Sequence, residues 1–257
     1  MKKIVLVFLV LCVKTFAASS LFHVVIAEKW LETFEDYNEE QKRAFILGTL
    51  FPDIRYLAQL PRQATHDRGL TIEEIRKIES PFIKGMKVHS YVDEARVGFL
   101  RNKEILKLMK GIPGDKILLL KMLEDEILFS MREKEKNRTL CRYLEIIENE
   151  ELSFGVPLET VSDWHCQHIG YFSLGPRQFF SKLLCKGKKY GAIPESDLRA
   201  SLEVFERLAE DEAMKNYIFC ILEEFEKQFQ GVAGSPSKSS YSTVLSSAKD
   251  RVTEGGV

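Results

Sequence analysis

The stretch KGMKVHSYVDEARVGF (84–99) sets one histidine and one aspartate four residues apart, His89 and Asp93. On a helix, residues i and i+4 lie one above the other, so one imidazole and one carboxylate can grip the same ion. The same spacing also describes an ordinary polar pair on a helix face. The chain has five histidines, and where the other four stand bears on the choice.

Helical periodicity extends outward from this stretch. SLFHVVIAEKWLETF (20–34) repeats apolar residues at three and four spacing. NEEQKRAFILGTL (38–50) opens on a capping asparagine. Thr71 with Glu74 three positions later forms a capping box. A break at Ser80-Pro81 leads into a helix through roughly residue 100. GDKILLLKMLEDEILFSMREKEK (114–136) reads as one long amphipathic helix, and the pattern continues through 158–172, 177–186, 196–210 and 213–229. No convincing run of alternating strands interrupts it. The expected fold is all-α, about eight to ten helices around one core.

Composition bounds the rest. Hydrophobic content of 45% and charged content of 29% are globular values. A net charge of −1 gives no basic field to attract nucleic acid. The opening MKKIVLVFLVLCVKTFAASS has two lysines, an apolar run and small residues, the layout of a secretory signal peptide cleaved after Ala17. Residues 18–230 then form one domain, and the Gly/Ser-rich 231–257 is expected to be a flexible tail. Beyond the leader stand Cys141, Cys166, Cys185 and Cys220, which allow three disulfide pairings or buried thiols.

Four stations in the first hundred residues can carry chemistry: His23, Asp53, His66, and His89 with Asp93. His23 sits among Leu21, Phe22, Val24 and Val25, where an imidazole needs a partner. Asp53 follows Pro52 after an apolar helix, so a turn is expected to aim it inward. Imidazole and carboxylate ligands suit zinc, and also manganese or iron.

The succession of His23, GTLFPD, THD and KVHSYVD resembles the zinc-dependent phospholipase C family, related in fold to the S1/P1 nucleases, over residues 20–130. The resemblance implies an all-α domain whose zinc cluster hydrolyses phosphate esters, so a phosphodiester or phospholipid would be the substrate. It implies one metal on Asp53, His66, His89 and Asp93. A second would be bridged by Asp93 and bound by His23 and the terminal amino group and carbonyl of Ala18. Asp53 or Asp67 would take a proton from water, and Arg55, Arg62 and Arg68 would clamp phosphate oxygens, unless they are plain surface charge. The family's third metal needs two more histidines, yet none lies between 94 and 164. His165 and His168 are either displaced ligands for it or core hydrogen-bonding residues. Glu124, Asp125 and Glu126 read as a solvated helix face. One or two zinc ions is the expected load.

Two other readings compete. The His66-Asp67 doublet resembles the HD-domain phosphohydrolases. Alternatively, an exported helical protein uses a metal only to hold its fold and binds a protein or envelope partner. Phe172, Phe179 and Phe180, beside basic residues, would either touch lipid peripherally or pack in the core. The oligomeric state is left open.

Overall fold

A computed structural model describes residues 19–100, 110, 116–185, 202 and 205–231. The expected leader, Ala18 and the tail beyond residue 231 lie outside the described residues, as does most of the expected helix 196–210. Among the described residues there is no strand, which agrees with the all-α expectation. The principal helices are α1 (Ser20–Phe34), α2 (Glu39–Leu50), α3 (Arg55–Ala58), α4 (Ile72–Arg76) and α5 (Pro81–Leu100). They continue as α6 (Lys116–Met131), α7 (Lys134–Tyr143), α8 (Asn149–Ser153), α9 (Leu158–Leu174), α10 (Pro176–Cys185) and α11 (Glu212–Phe229).

Local chemistry sets several boundaries. The Asn38 side chain accepts from the Gln41 amide at 2.9 Å while Gln41 reaches back to the Asn38 amide, closing the box that starts α2. Thr71 and Glu74 do the same for α4. Pro81 opens α5, as the Ser80-Pro81 break implies. The expected single helix over 114–136 is instead divided between α6 and α7. The chain breaks at Arg132 and Glu133, where Arg132 grips Glu28 of α1 through both terminal guanidinium nitrogens.

One apolar cluster runs through the molecule, with Trp30, Phe225 and Phe229 on one side and Phe51, Phe82 and Trp164 on another. Phe172, Phe179 and Phe180 all belong to it, with at most 9% of their surface exposed. They therefore pack inside and are not offered to lipid.

Among the described residues the most extensive helix pair is α2 against α5. A Cβ on Gly48 would stand 2.0 Å from the Phe82 carbonyl oxygen, and one on Gly85 would stand 2.1 Å from the Phe45 carbonyl oxygen. The two backbones touch there because neither glycine carries a side chain. That approach matters one turn further along α5, where His89 Nδ1 lies 2.8 Å from the Thr49 carbonyl oxygen of α2.

Candidate metal centre

Five side chains converge from four places in the chain. His23 projects from α1, and His89 and Asp93 from α5. Asp53 comes from the 3-10 turn Phe51–Ile54, which Pro52 starts. His66 follows a second turn, Arg62–Ala64. All three histidines are buried, and Asp53 is 5% exposed, so the turn does aim it inward.

One ligand atom each of Asp53, His66 and His89 lie within 4.8 Å of one another, and so do those of His23, His89 and Asp93. Asp93 faces both groups with different oxygens. Its Oδ1 is 3.5 Å from His23 Nε2, while its Oδ2 is 3.5 Å from His66 Nε2 and 3.9 Å from His89 Nε2. The His23 and His89 rings stack at 3.9 Å, and the His66 ring meets His89 edge-on at 5.0 Å.

The ring protons can be placed from their partners. The Thr49 carbonyl only accepts, so His89 carries its proton on Nδ1 and leaves Nε2 bare. Thr65 Oγ1 gives its one proton to the Pro52 carbonyl at 3.0 Å, so it accepts from His66 Nδ1 at 2.9 Å. The His66 Nε2 is then bare as well. These two nitrogens and both nitrogens of His23 are buried with no hydrogen-bond partner. At 3.5–3.9 Å from the Asp93 oxygens they are too far for good N–H···O bonds. Buried polar atoms almost always find a partner. No contact places the proton of His23, but the lone pairs of His66 and His89 face the Asp93 oxygens with no proton between them, which fits a cation.

The electrostatics agree. Burial lowers the pKa of His23 and His66 and pushes His89 well below 6.5, with the Asp93 charge only partly offsetting this. Burial would raise the Asp93 carboxyl, but N–H donation from His23 and His66, when those rings carry a proton on Nε2, holds it well below the carboxylate range. Burial and the Asp93 charge push Asp53 up to about 7. At neutral pH the site therefore holds three neutral imidazoles, one ionised carboxylate and a second carboxyl near its midpoint. That donor set, with second partners orienting His66 and His89, suits zinc.

Other predicted residues fall differently. Arg62 donates to Asp93 Oδ2 at 2.8 Å from the exposed rim. Arg55 lies over the Tyr56 ring at 3.8 Å, and Arg68 is exposed. Asp67 joins neither ligand group, and its carboxylate is exposed and paired with Lys87. His165 and His168 are core hydrogen-bonding residues. His165 lies 2.7 Å from both the Leu144 carbonyl and Glu151, and His168 is 3.0 Å from the Trp164 carbonyl and 3.3 Å from Ser20 Oγ.

Glu124 and Asp125 overturn their reading as a solvated face, since both are fully buried. Asp125 accepts the first free amides of α1, Leu21 at 3.1 Å and Phe22 at 2.9 Å, and a hydroxyl proton from Tyr171 at 2.8 Å. It caps the helix that carries His23. Glu124 pairs with the buried Arg96, which donates to Ser19 Oγ at 2.8 Å. Glu124 and Asp125 of α6 thus anchor the start of α1. The sequence signal was available in part, because two acids in so apolar a run need not face water. Cys141 and Cys166 are free thiols.

No family model, curated protein or solved structure matches this chain.

Proposed function

We propose that the chain is an exported, metal-dependent phosphodiester hydrolase. Its ions, zinc by donor type, are held by His23, Asp53, His66, His89 and Asp93. The observation that carries this reading is the set of buried Nε2 atoms of His23, His66 and His89, none with a hydrogen-bond partner, around Asp93. The choice of a phosphodiester rests on the resemblance carried by GTLFPD and KVHSYVD. Once bound, a divalent cation supplies Lewis acidity, drawing charge from a phosphoryl oxygen and acidifying water toward neutral pH.

The residues of the chain supply the rest. Thr49 and Thr65 keep the His89 and His66 lone pairs aimed inward. An Asp53 oxygen left off the ion can accept a proton from water. Arg62 spends one N–H on Asp93 and has others at the rim for a phosphate oxygen. The apolar wall around His23 keeps bulk water out and strengthens each of these interactions.

A second reading, a metal that only holds the fold, is favoured by one observation. The residues suggested for a third ion, His165 and His168, have other partners. One experiment separates the two. The protein is purified with its processed N-terminus, its metals are counted, and bis(p-nitrophenyl) phosphate turnover is followed with and without chelator. Turnover that chelation abolishes and zinc restores is the expected result. Stoichiometric zinc with a chelator-sensitive melting temperature but no turnover of any phosphodiester would establish the structural role instead.

A further inference from the structure

His23 differs from the other two histidines of the cluster in how its ring is held. Thr49 fixes the His89 ring and Thr65 fixes the His66 ring, but neither nitrogen of His23 has a hydrogen-bond partner. The ring lies 3.5 Å from Asp93 Oδ1 and stacks on His89 at 3.9 Å. With no bond of its own to fix it, the ring falls where the start of α1 stands relative to α5.

One side chain spans the two helices. Arg96 follows Asp93 by three residues on α5, so the two share a helix face. It is 1% exposed. Its Nη2 donates to the hydroxyl of Ser19, the residue that precedes α1, at 2.8 Å. Its guanidinium carbon lies 4.5 Å from the centre of the Phe22 ring, the neighbour of His23. Glu124 of α6 pairs with the same guanidinium. Ser19 takes a left-handed φ of 56°, which an L side chain rarely adopts. Two bonds at its hydroxyl hold it there, because the group that accepts from Arg96 donates in turn to the Lys121 carbonyl at 2.8 Å. The Ser19 carbonyl then accepts the His23 amide at 3.2 Å. A path of bonds thus runs from the helix of Asp93 to the backbone of His23.

We propose that Arg96 is a positioning residue of the metal centre, holding His23 against Asp93 and His89 so that its ring can serve as a ligand. The inference rests on the metal reading above. Plain stabilisation is a poor account of this arginine. Its Nε and Nη1, and Oε1 of Glu124, are buried without a hydrogen-bond partner, which costs stability. A buried ion pair can often be replaced by an apolar pair of similar volume with no loss. What an apolar pair cannot supply is direction. The guanidinium is planar and presents its donors from fixed positions, so it sets the angle as well as the distance between Ser19 and the helix of Asp93.

The test is a double-mutant cycle on the full chain, read as zinc affinity by competition with a fluorescent chelator. One arm is Arg96→Met together with Glu124→Gln, which removes the ion pair without stranding a buried charge. The other arm is His23→Ala. In the parent background the paired change should weaken zinc binding roughly tenfold to a hundredfold, the range for partners that orient a metal ligand. In the His23→Ala background the same change should alter affinity by less than about twofold, because the ring it positions is gone. Arg96→Lys keeps a charge beside Glu124 but loses the planar fork. It should give a smaller loss in the parent and none in His23→Ala, and it carries the cycle alone if the paired change prevents folding. Equal losses in both backgrounds make Arg96 a structural residue and overturn the proposal. Unchanged affinity in the parent overturns it too, and either result leaves the metal reading intact. A parent chain that takes up no zinc removes the metal reading, and this inference with it.

Discussion

Two groups of histidines lie in the same interior, and all five rings are at most 7% exposed. In α9 each ring nitrogen of His165 and His168 has a polar atom within 3.3 Å. Around Asp93, four ring nitrogens of His23, His66 and His89 have none. Burial is therefore no guide to function here. The pair in α9 is complete as it stands and stabilises the packing of α7, α8 and α9. In the cluster around Asp93, Thr65 and Thr49 fix the outer nitrogens of His66 and His89, while their inner nitrogens and both of His23 have no partner, an arrangement that could hold a cation.

The sharpest way to break this contrast is at the α2–α5 crossing, which builds the cluster around Asp93. Gly85→Ala forces a Cβ to 2.1 Å from the Phe45 carbonyl oxygen, where neither backbone can yield easily. It should destabilise the protein by about 3 kcal/mol or more in urea unfolding. Gly170→Ala in α9 meets only the edge of the Phe179 ring, at 3.2 Å, and should cost less than about 1 kcal/mol. Equal losses from the two would refute the claim that backbone contact shapes the centre.

Removing one polar group from each region comes next. Asp93→Asn should lower zinc affinity by roughly a hundredfold or more, because it removes the carboxylate charge that lies 3.5 Å from both His23 and His66. His165→Phe strands the buried Glu151 and should reduce stability by about 3 kcal/mol without changing the zinc count. Zinc uptake that depends on His165 would erase the distinction between the two groups.

A finer probe is Thr65→Val. It removes the acceptor that holds the His66 proton on Nδ1, and competition with a fluorescent chelator should show a tenfold to hundredfold weaker zinc complex.

The smallest expected effect is in pH. Asp53 titrates near 7 in the metal-free protein, while the three imidazoles are held below 6.5 and are already neutral there. Below pH 7 a proton must leave Asp53 before metal binds, so apparent zinc affinity should fall by up to about tenfold per pH unit between pH 7 and 6. It should level off above pH 8. A flat profile over pH 6–8 would exclude Asp53 as a ligand.

Much of the centre was legible because its signals are local. The i, i+4 spacing of His89 and Asp93, the Pro52-Asp53 turn and the apolar company of His23 each depend on residues a few positions apart. The capping boxes at Asn38 and Thr71 were readable for the same reason. Glu124 and Asp125 were misread because their partners, Arg96, Ser19 and the amides of Leu21 and Phe22, lie far away in the chain. Gly48 and Gly85 each look like a plain weak point in a helix until the two helices cross.

Periodicity and spacing act within a turn or two, so they were enough for the helical class, the principal caps and a set of candidate ligands. Which histidines lack partners and which are satisfied depended on the closed fold. A ring nitrogen's partner is set by what the closed chain brings against it: Thr49 reaches His89 across 40 residues, and Ser20 reaches His168 across 148. No local pattern encodes contacts of that span.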